Sequence, residues 1–224
     1  MKYLLYCVFR NSSPWRPKTL PGVEAQPVFL VGKNGLSAAV SRISGSDPAP
    51  AVSRILAYHK VIESIHRRRA VIPLRYGSLL EQESQIVEYL EERRQQYEAL
   101  LQELEGRVEM GIRVLFDKAE CRMPVAEGSG AAYLAAQRDR YARDDRLAVE
   151  QEMVVEKTYS LLSGLFVRSK AESSLLAGSR LLSLHFLVPQ KSVRLFRKAF
   201  RRLDPGQSVK LLLSGPWPAH NFVE

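Results

Sequence analysis

The sequence has 224 residues, of which 46% are hydrophobic and 25% are charged. These values are ordinary for a globular protein and exclude the fibrous and disordered classes, and the length allows one large domain or two of ordinary size. The 33 Lys and Arg residues outnumber the 24 Asp and Glu residues, which gives a formal net charge of +9. This excess favours an anionic partner (nucleic acid, a lipid surface or an acidic protein) without choosing among them.

Cysteine content and apolar runs indicate the compartment. Cys7 and Cys121 lie outside any metal-binding spacing, and Cys7, within an apolar run, is interpreted as a core residue. The run Tyr3–Phe9 lacks a following small-residue cleavage site, so it is read as a buried strand rather than a signal peptide. No apolar stretch approaches the ~18 residues that span a bilayer. We therefore expect a cytoplasmic protein that does not enter a membrane.

The first half of the sequence predicts a sheet with two helices. Asn34-Gly35 is typical of a tight hairpin turn because both residues accept positive φ angles. Pro73 limits the strand that contains it to an edge or an end. Ser78–Glu81 has the form of a capping box, so a long helix is predicted to begin within 79–84. In chain order the predicted strands are Tyr3–Phe9, Val28–Val31, Leu36–Ile43 and Val71–Leu74. The predicted helices are 51–66 and a long one from within 79–84 to about Leu104.

The second half predicts the order β-α-β-β-α-β. Its first strand, Val108–Phe116, alternates apolar and polar residues. After a loop over 118–130, a helical period continues over 131–166. The first part of that helix, 131–150, has a narrow apolar stripe, so we expect it to project or to await a partner. The remaining predicted elements are strands Ala171–Ala177, Arg180–Val188 and Val209–Leu213 and a helix Lys191–Leu203.

These elements predict an α+β fold built from two ferredoxin-like α/β-sandwich domains, the first one modified, and an extended C-terminal tail. The predicted boundaries are 1–104 for the first domain, 105–213 for the second and 214–224 for the tail.

No residue pattern in the sequence is typical of an enzyme. There is no G-x-S-x-G elbow, P-loop or dinucleotide-binding glycine pattern. His59 and His66 are seven residues apart on one predicted helix, whereas metal-binding pairs usually lie three or four apart. Carboxylates alternate with arginines on helix faces, as solvated ion pairs do. We therefore expect no catalytic residue, no metal and no cofactor.

Basic helix faces are the clearest candidates for an interaction. The helix Lys191–Leu203 carries six cations and no acid, which predicts either a solubilising face or a docking surface for an acidic partner. Nucleic acid is the weaker alternative, because no strand carries the aromatic signature of an RNA-binding ferredoxin-like domain. The candidate interaction residues on this helix are Arg194, Arg197, Lys198 and Arg201. Those on the first part of the predicted helix 131–166 are Arg138 and Arg143.

Three segments resemble blocks of one protein family. His59-Lys-Val-Ile-Glu63 followed by Ile72-Pro-Leu-Arg-Tyr-Gly-Ser78 is similar to its "H-x-x-V-L-E … L-P-L-R-F-G-T" block, and Gly106-Arg-Val-Glu109 to its "G-x-x-E" strand. Leu213-Ser-Gly-Pro-Trp-Pro-Ala-His-Asn-Phe222 closely resembles its "L-S-G-P-W-P-P-Y-N-F" signature. Over nearly the whole chain, the sequence is thus identified as similar to the family of gas vesicle proteins F and L.

The departures from the family pattern are few. Tyr76 stands where Phe is usual and Ser78 where Thr is usual. Ala219-His220 replaces Pro-Tyr, which loosens the tail and exchanges a phenol for an imidazole.

The resemblance implies a gas vesicle accessory protein that binds the major shell protein, other accessory proteins or copies of itself during nucleation and growth. The prolines of the tail hold an extended backbone around Trp217, which together with Phe222 offers apolar surface. The tail is interpreted as a clasp on the first domain or as a partner contact. Arg75 could orient the tail or a partner carboxylate. The alternative function is a basic nucleic-acid-binding module.

Overall fold

The computed structural model describes residues 1–11, 20–44, 51–116, 149, 152–176, 179–203 and 209–223. The chain forms two compact units, Met1–Glu109 with Gly215–Glu224, and Met110–Ser214. Two antiparallel sheets with helices confirm the predicted α+β fold. The predicted domain boundaries stay a prediction, because compactness alone does not show which segments fold by themselves.

The first unit is built on a sheet of order β2-β3-β1-β4, with β5 also beside β1. Its strands are β1 (Lys2–Arg10), β2 (Phe29–Lys33), β3 (Leu36–Ile43), β4 (Ile72–Pro73) and β5 (Leu79–Leu80). Cys7 pairs with Pro73 of β4, and Leu4 pairs with Leu79 of β5. The strands β4 and β5 therefore form one interrupted edge strand along β1, as the proline predicted.

The hairpin between β2 and β3 confirms the predicted turn. Lys33 pairs with Leu36, and the two residues between them, Asn34 and Gly35, have φ angles of 53° and 85°. Positive φ at both central positions gives the turn the twist of the flanking strands.

Helices pack against this sheet as three elements: α1 (Val52–His66), α2 (Glu83–Glu92) and α3 (Arg94–Leu104). Tyr58, Ile62 and Ile65 of α1 share one buried cluster with Leu4 of β1 and Ala39 of β3. The helices α2 and α3 contact the strands through a separate buried stripe. A sheet covered by helices accounts for the continuous apolar run of β1, whose residues Leu4 to Phe9 are all buried.

The predicted helix begins at Glu83, inside the expected window of 79–84, but the single long helix predicted to continue to Leu104 is wrong. Leu79 and Leu80 are strand residues, and Gln85 Oε1, rather than Glu81, accepts the N–H of the helix start, at Gln82. The helix also breaks at Arg93 (φ −101°, ψ 9°). Arg93-Arg94 occupies the position where the apolar stripe would continue after Leu90, and the stripe resumes only at Tyr97.

The second unit contains six described elements in the predicted order. They are β6 (Arg107–Phe116), α4 (152–162), β7 (Arg168–Leu176), β8 (Ser179–Pro189), α5 (Val193–Phe200) and β9 (Val209–Trp217). The sheet order is β7-β8-β6-β9, which is the ferredoxin-like order. Its core joins the apolar face of β6 and β8 to Leu162 of α4 and Phe196 of α5.

Several boundaries in this unit differ from the prediction. The helix predicted to reach 166 ends at Leu162, and Gly164 (φ 74°) follows in the left-handed region. A short 3-10 turn, Gln190–Ser192, precedes α5. The strand β9 extends to Trp217, into the segment predicted as an extended tail. The loop predicted over 118–130 and the start of the long helix at 131 lie outside the described residues.

Both sheets follow one chain order, in which the second, third, first and fourth strands of the unit are neighbours. In the second unit α4 lies between the first two strands. In the first unit the described part of that connection contains a 3-10 turn, Val23–Ala25. The backbone N–H of Val23 donates to the buried Tyr6 hydroxyl (3.0 Å), which also bonds Ser41 Oγ (2.7 Å).

The buried Tyr58 hydroxyl fixes the interruption between β4 and β5. It lies within hydrogen-bond distance of four carbonyl oxygens, those of Leu5 (2.8 Å), Tyr6 (3.3 Å), Leu74 (3.0 Å) and Arg75 (3.1 Å). Burial raises the pKa of this phenol, so the hydroxyl remains a donor. One proton shared among four converging carbonyl dipoles offsets their mutual repulsion and ties α1 to β1 and to the segment between β4 and β5.

We expect Tyr58→Phe to lower the free energy of unfolding by about 1–3 kcal/mol, because the carbonyl oxygens that converge on Tyr58 lose a buried donor. Urea unfolding monitored by circular dichroism measures this change. Tyr76→Phe is the matched control, because the Tyr76 hydroxyl is buried with no hydrogen-bond partner in the described structure and its ring packs edge-on against Tyr58. Equal losses in both variants would contradict the role given to the Tyr58 proton.

Candidate functional site

The three segments that carry the family resemblance meet in the first unit. The first supplies His59 of α1, the second supplies Glu109 at the start of β6, and the third supplies the last residues of the chain. We call the cluster of His59, Glu109, His220 and Asn221 the tail lock.

Glu109 is the centre of the tail lock. Its side chain is buried although it carries a carboxylate. The backbone N–H of Asn221 donates to Glu109 Oε2 (2.9 Å), and the Asn221 side-chain amide donates to Oε1 (2.5 Å). These two donors are needed because a buried carboxylate without hydrogen bonds is strongly unfavourable.

The residues around Asn221 pack into the first unit. A 3-10 turn spans His220–Phe222, and Ala219 and Phe222 are buried. This packing favours the interpretation of the tail as a clasp. Trp217 differs, because 43% of its surface is exposed. The tail thus has a packed end and an exposed aromatic residue.

The His220 ring packs against His59, with ring centroids 5.2 Å apart at 70°. Burial, with smaller contributions from His59 and His66, lowers the pKa of His220 to about 4, against the opposing effect of the Glu109 carboxylate. Burial also lowers the pKa of His66. The imidazole of His220 is therefore neutral at pH 7, and its packing in the tail lock does not require a counter-charge.

The basic face of α5 is the second candidate site. Phe196 is fully buried, and Val193 and Phe200 are partly buried on the same side of the helix. The opposite side exposes only cations and Leu195, and no acidic residue occurs between Gln190 and Leu203. The exposed cations of this face, which we call the basic face, are Lys191, Arg194, Arg197, Lys198, Arg201 and Arg202.

The comparisons with known proteins decide the family. The sequence pattern of the gas vesicle synthesis protein GvpL/GvpF family matches residues 2–224. The chain belongs to this family. Gas vesicle protein F of Streptomyces sp. (strain CB03234) is 27% identical to it, over 100% of both chains. Gas vesicle protein L of the same strain is 25% identical, over 98% of this chain and 91% of the relative.

A solved structure supports the fold of this GvpL/GvpF family member. The crystal structure of GvpF from Anabaena sp. PCC7120 has a TM-score of 0.79 to it at 18% identity, and the match covers 100% of this chain and 98% of that chain. At this identity the likeness shows the shared fold alone. The family and its relatives are named for gas vesicles and not for a reaction.

The described residues contain no group of three or more His, Cys, Asp or Glu that could hold a metal ion. Cys7 is fully buried in the core, as predicted, and burial raises the pKa of its thiol. No helix among the described residues is long and apolar enough to cross a membrane.

The predicted interaction residues fall into three groups. Arg194, Arg197, Lys198 and Arg201 lie together on the basic face, whereas Phe222 and Trp217 belong to the tail. The Arg75 side chain is exposed in the interruption between β4 and β5, and its carbonyl oxygen accepts the Ser78 hydroxyl (2.8 Å). Arg138 and Arg143 lie outside the described residues.

Sequence reasoning missed the tail lock. Glu109, His59 and Asn221 stand inside the quoted family blocks but were not named as candidates. The available signal was a Glu within an apolar strand and an Asn beside an aromatic residue. Glu109 and Asn221 are 112 positions apart, so no local pattern pairs them.

We expect the stability of the protein to fall as pH falls from about 6.5 towards 4. Over that interval the unfolded chain binds a proton at residue 220, whose ordinary pKa is 6.5, and the folded chain excludes it. Replacing His220→Phe should remove on the order of 2 kcal/mol of this dependence, allowing for partial exposure. Urea unfolding at about pH 7 and about pH 4.5 measures it.

The control is His185→Phe, which alters a half-buried histidine of the second unit and leaves the tail lock intact. His66 should leave part of the pH dependence in place in both variants, because burial lowers its pKa as well. Identical pH dependence in His220→Phe and the wild type would refute the assignment.

Proposed function

We propose that this gas vesicle protein is a cytoplasmic assembly factor that binds the shell protein and other accessory proteins while the vesicle nucleates and grows. The role is non-covalent: the protein covers aggregation-prone apolar surface and presents shell subunits in order. The basic face of α5 supports the proposal, because it is a fixed array of exposed cations seated on a packed core by Phe196.

The partner of the basic face would be an acidic surface. Opposite charge steers encounter and fixes orientation more than it adds affinity. Trp217, exposed in the tail of the first unit, is suited to an apolar contact, because exposed aromatic residues often anchor protein interfaces.

The nucleic-acid alternative has less support. A ferredoxin-like RNA-binding domain stacks bases on aromatic side chains of its open sheet face. In the second sheet, the face opposite the helices presents Arg113, Lys170, Ser183, His185 and Lys210, by strand alternation and the register of β7 and β8. The described strand residues on that face include no Phe, Tyr or Trp, so bases would lack a stacking platform.

Reversing charge on the basic face should reduce capture of the shell protein by at least about tenfold, as loss of complementary charge pairs does. The test variant is Arg194→Glu with Lys198→Glu in the tagged full chain, co-purified with the major shell protein after nuclease treatment at two salt concentrations. Lys60→Glu with Arg67→Glu is the control, because it makes the same change in net charge at exposed positions of the first unit.

Each outcome separates the candidate functions. Loss of shell-protein capture in the test variant alone supports the basic face as the docking surface. Equal loss in both variants would mean that net charge, not this surface, attracts the shell protein. Recovery of nucleic acid alone, released by salt, would favour the nucleic-acid-binding module.

Trp217→Ala should weaken capture while changing the free energy of unfolding by less than about 1 kcal/mol, because much of the ring is exposed. Phe222→Ala is the comparison within the same tail. Its side chain is 4% exposed, so its removal should cost about 3–5 kcal/mol of stability. If Trp217→Ala leaves capture unchanged, the tail acts only as a clasp.

A further inference from the structure

The strand β7 forms an open edge of the second sheet. In the order β7-β8-β6-β9 it has one neighbour, and all nine of its residues pair with β8. The other edges among the described strands are shorter or contain proline: β2 has five residues, β4 has two residues and Pro73, and β9 contains Pro216. A long edge strand without proline readily adds another strand.

Over residues 168–174, both faces of β7 are largely exposed. On the helix side, Ser169, Ala171 and Ser173 are exposed, although the β8 residues paired with them, Phe186, Leu184 and Leu182, are buried in the core. Among the described residues, the helices of this unit therefore cover β8 and do not extend over β7. Small side chains on that side leave room for a strand and its own helices beside β7.

The charges of β7 are arranged for pairing with an identical strand. When two copies of β7 run antiparallel with Ala171 opposite Ala171, Lys170 of each copy is opposite Glu172 of the other, and Ser169 is opposite Ser173. Directly opposite residues share a face, and their Cβ atoms lie about 4.5–5.5 Å apart. Both pairs of opposite charges are therefore within contact distance. Like charges are then only diagonal neighbours, at about 7–8 Å.

The neighbouring registers that keep the same faces together are unfavourable. A shift of one residue in each strand places Lys170 opposite Lys170, although it also brings Arg168 of each copy opposite Glu172 of the other. A shift in the other direction places Glu172 opposite Glu172. Pairs of like charge directly opposite each other are destabilising. Of these three registers, only the one centred on Ala171 has no like charges directly opposite each other, and this difference supplies the specificity that an edge contact needs.

We propose that β7 is a self-association surface, through which two copies of this chain join their second sheets about a two-fold axis at Ala171. In the single chain Lys170 Nζ is 3.0 Å from Glu172 Oε1 of the same strand. In the dimer each side chain reaches its counterpart on the other copy across the new ladder. The contact is isologous, so it closes as a dimer and leaves no further β7 edge open.

The interface is one strand wide, so the association is expected to be weak, on the order of tens of micromolar. The proposal is independent of the binding of shell protein, because it concerns the purified chain alone. Sedimentation velocity of the full chain over a range of concentrations measures it directly.

Charge exchange tests the register. Lys170→Glu alone places a carboxylate opposite Glu172 in both opposed pairs. Glu172→Lys alone places a lysine opposite Lys170 in both opposed pairs. Each single variant should therefore remain monomeric. An equimolar mixture of the two variants should dimerise, because every opposed pair is then of opposite charge. The double variant Lys170→Glu with Glu172→Lys should dimerise as the wild type does.

These outcomes exclude a purely structural role for the two charges. If Lys170 and Glu172 serve only as an ion pair within the strand, mixing the two single variants changes nothing, and that result would overturn the proposal. A wild-type chain that stays monomeric at all concentrations would overturn it as well. Circular dichroism of each variant confirms that the sheet is intact before its mass is interpreted.

Discussion

The buried carboxylate of Glu109 is the constraint on which the end of the chain depends. A carboxylate that loses water is tolerated only with strong donors, and the backbone and side chain of Asn221 provide two of them. The donors can reach Glu109 only when the chain, after completing the second unit, returns to the first. The tail lock thus joins Glu109 and Asn221, the residues that precede and follow the second unit in the chain. Ala219 and Phe222 are buried in the first unit beside this contact.

Local patterns in the sequence were sufficient for most of the strands and for the class of fold. The Asn34-Gly35 turn, the apolar run of β1 and the alternation of β6 each carry a signal within a few residues. The errors lie where tertiary pairing outweighed local preference. Leu79 and Leu80 fit a helix start, yet they complete the edge of the first sheet beside Tyr3 and Leu4. The break at Arg93 also lacks a Gly or Pro to mark it.

The candidate site divides in the same way. The basic face could be predicted because all of its cations lie within twelve consecutive residues, on α5 and the turns that flank it, where a helical period places them together. The tail lock could not, because its members come from three segments, and the resemblance marked those segments without showing that Glu109 and Asn221 touch. The role of Tyr58 was hidden for a similar reason, since a Tyr in an apolar helical stripe gives no sign that its hydroxyl meets four carbonyl oxygens.

The structure also changes what the signature at the end of the chain means. The last four of its ten positions in this chain are explained by folding: Asn221 satisfies a buried charge, Ala219 and Phe222 fill the first unit, and His220 packs on His59. Only Trp217 combines a large apolar side chain with exposure, so it alone among these residues is available to a partner without disturbing the lock. Similarity in the signature therefore argues for a shared fold more strongly than for a shared contact. The candidate contact surfaces of this chain outside the lock are the basic face of α5 and the edge of β7.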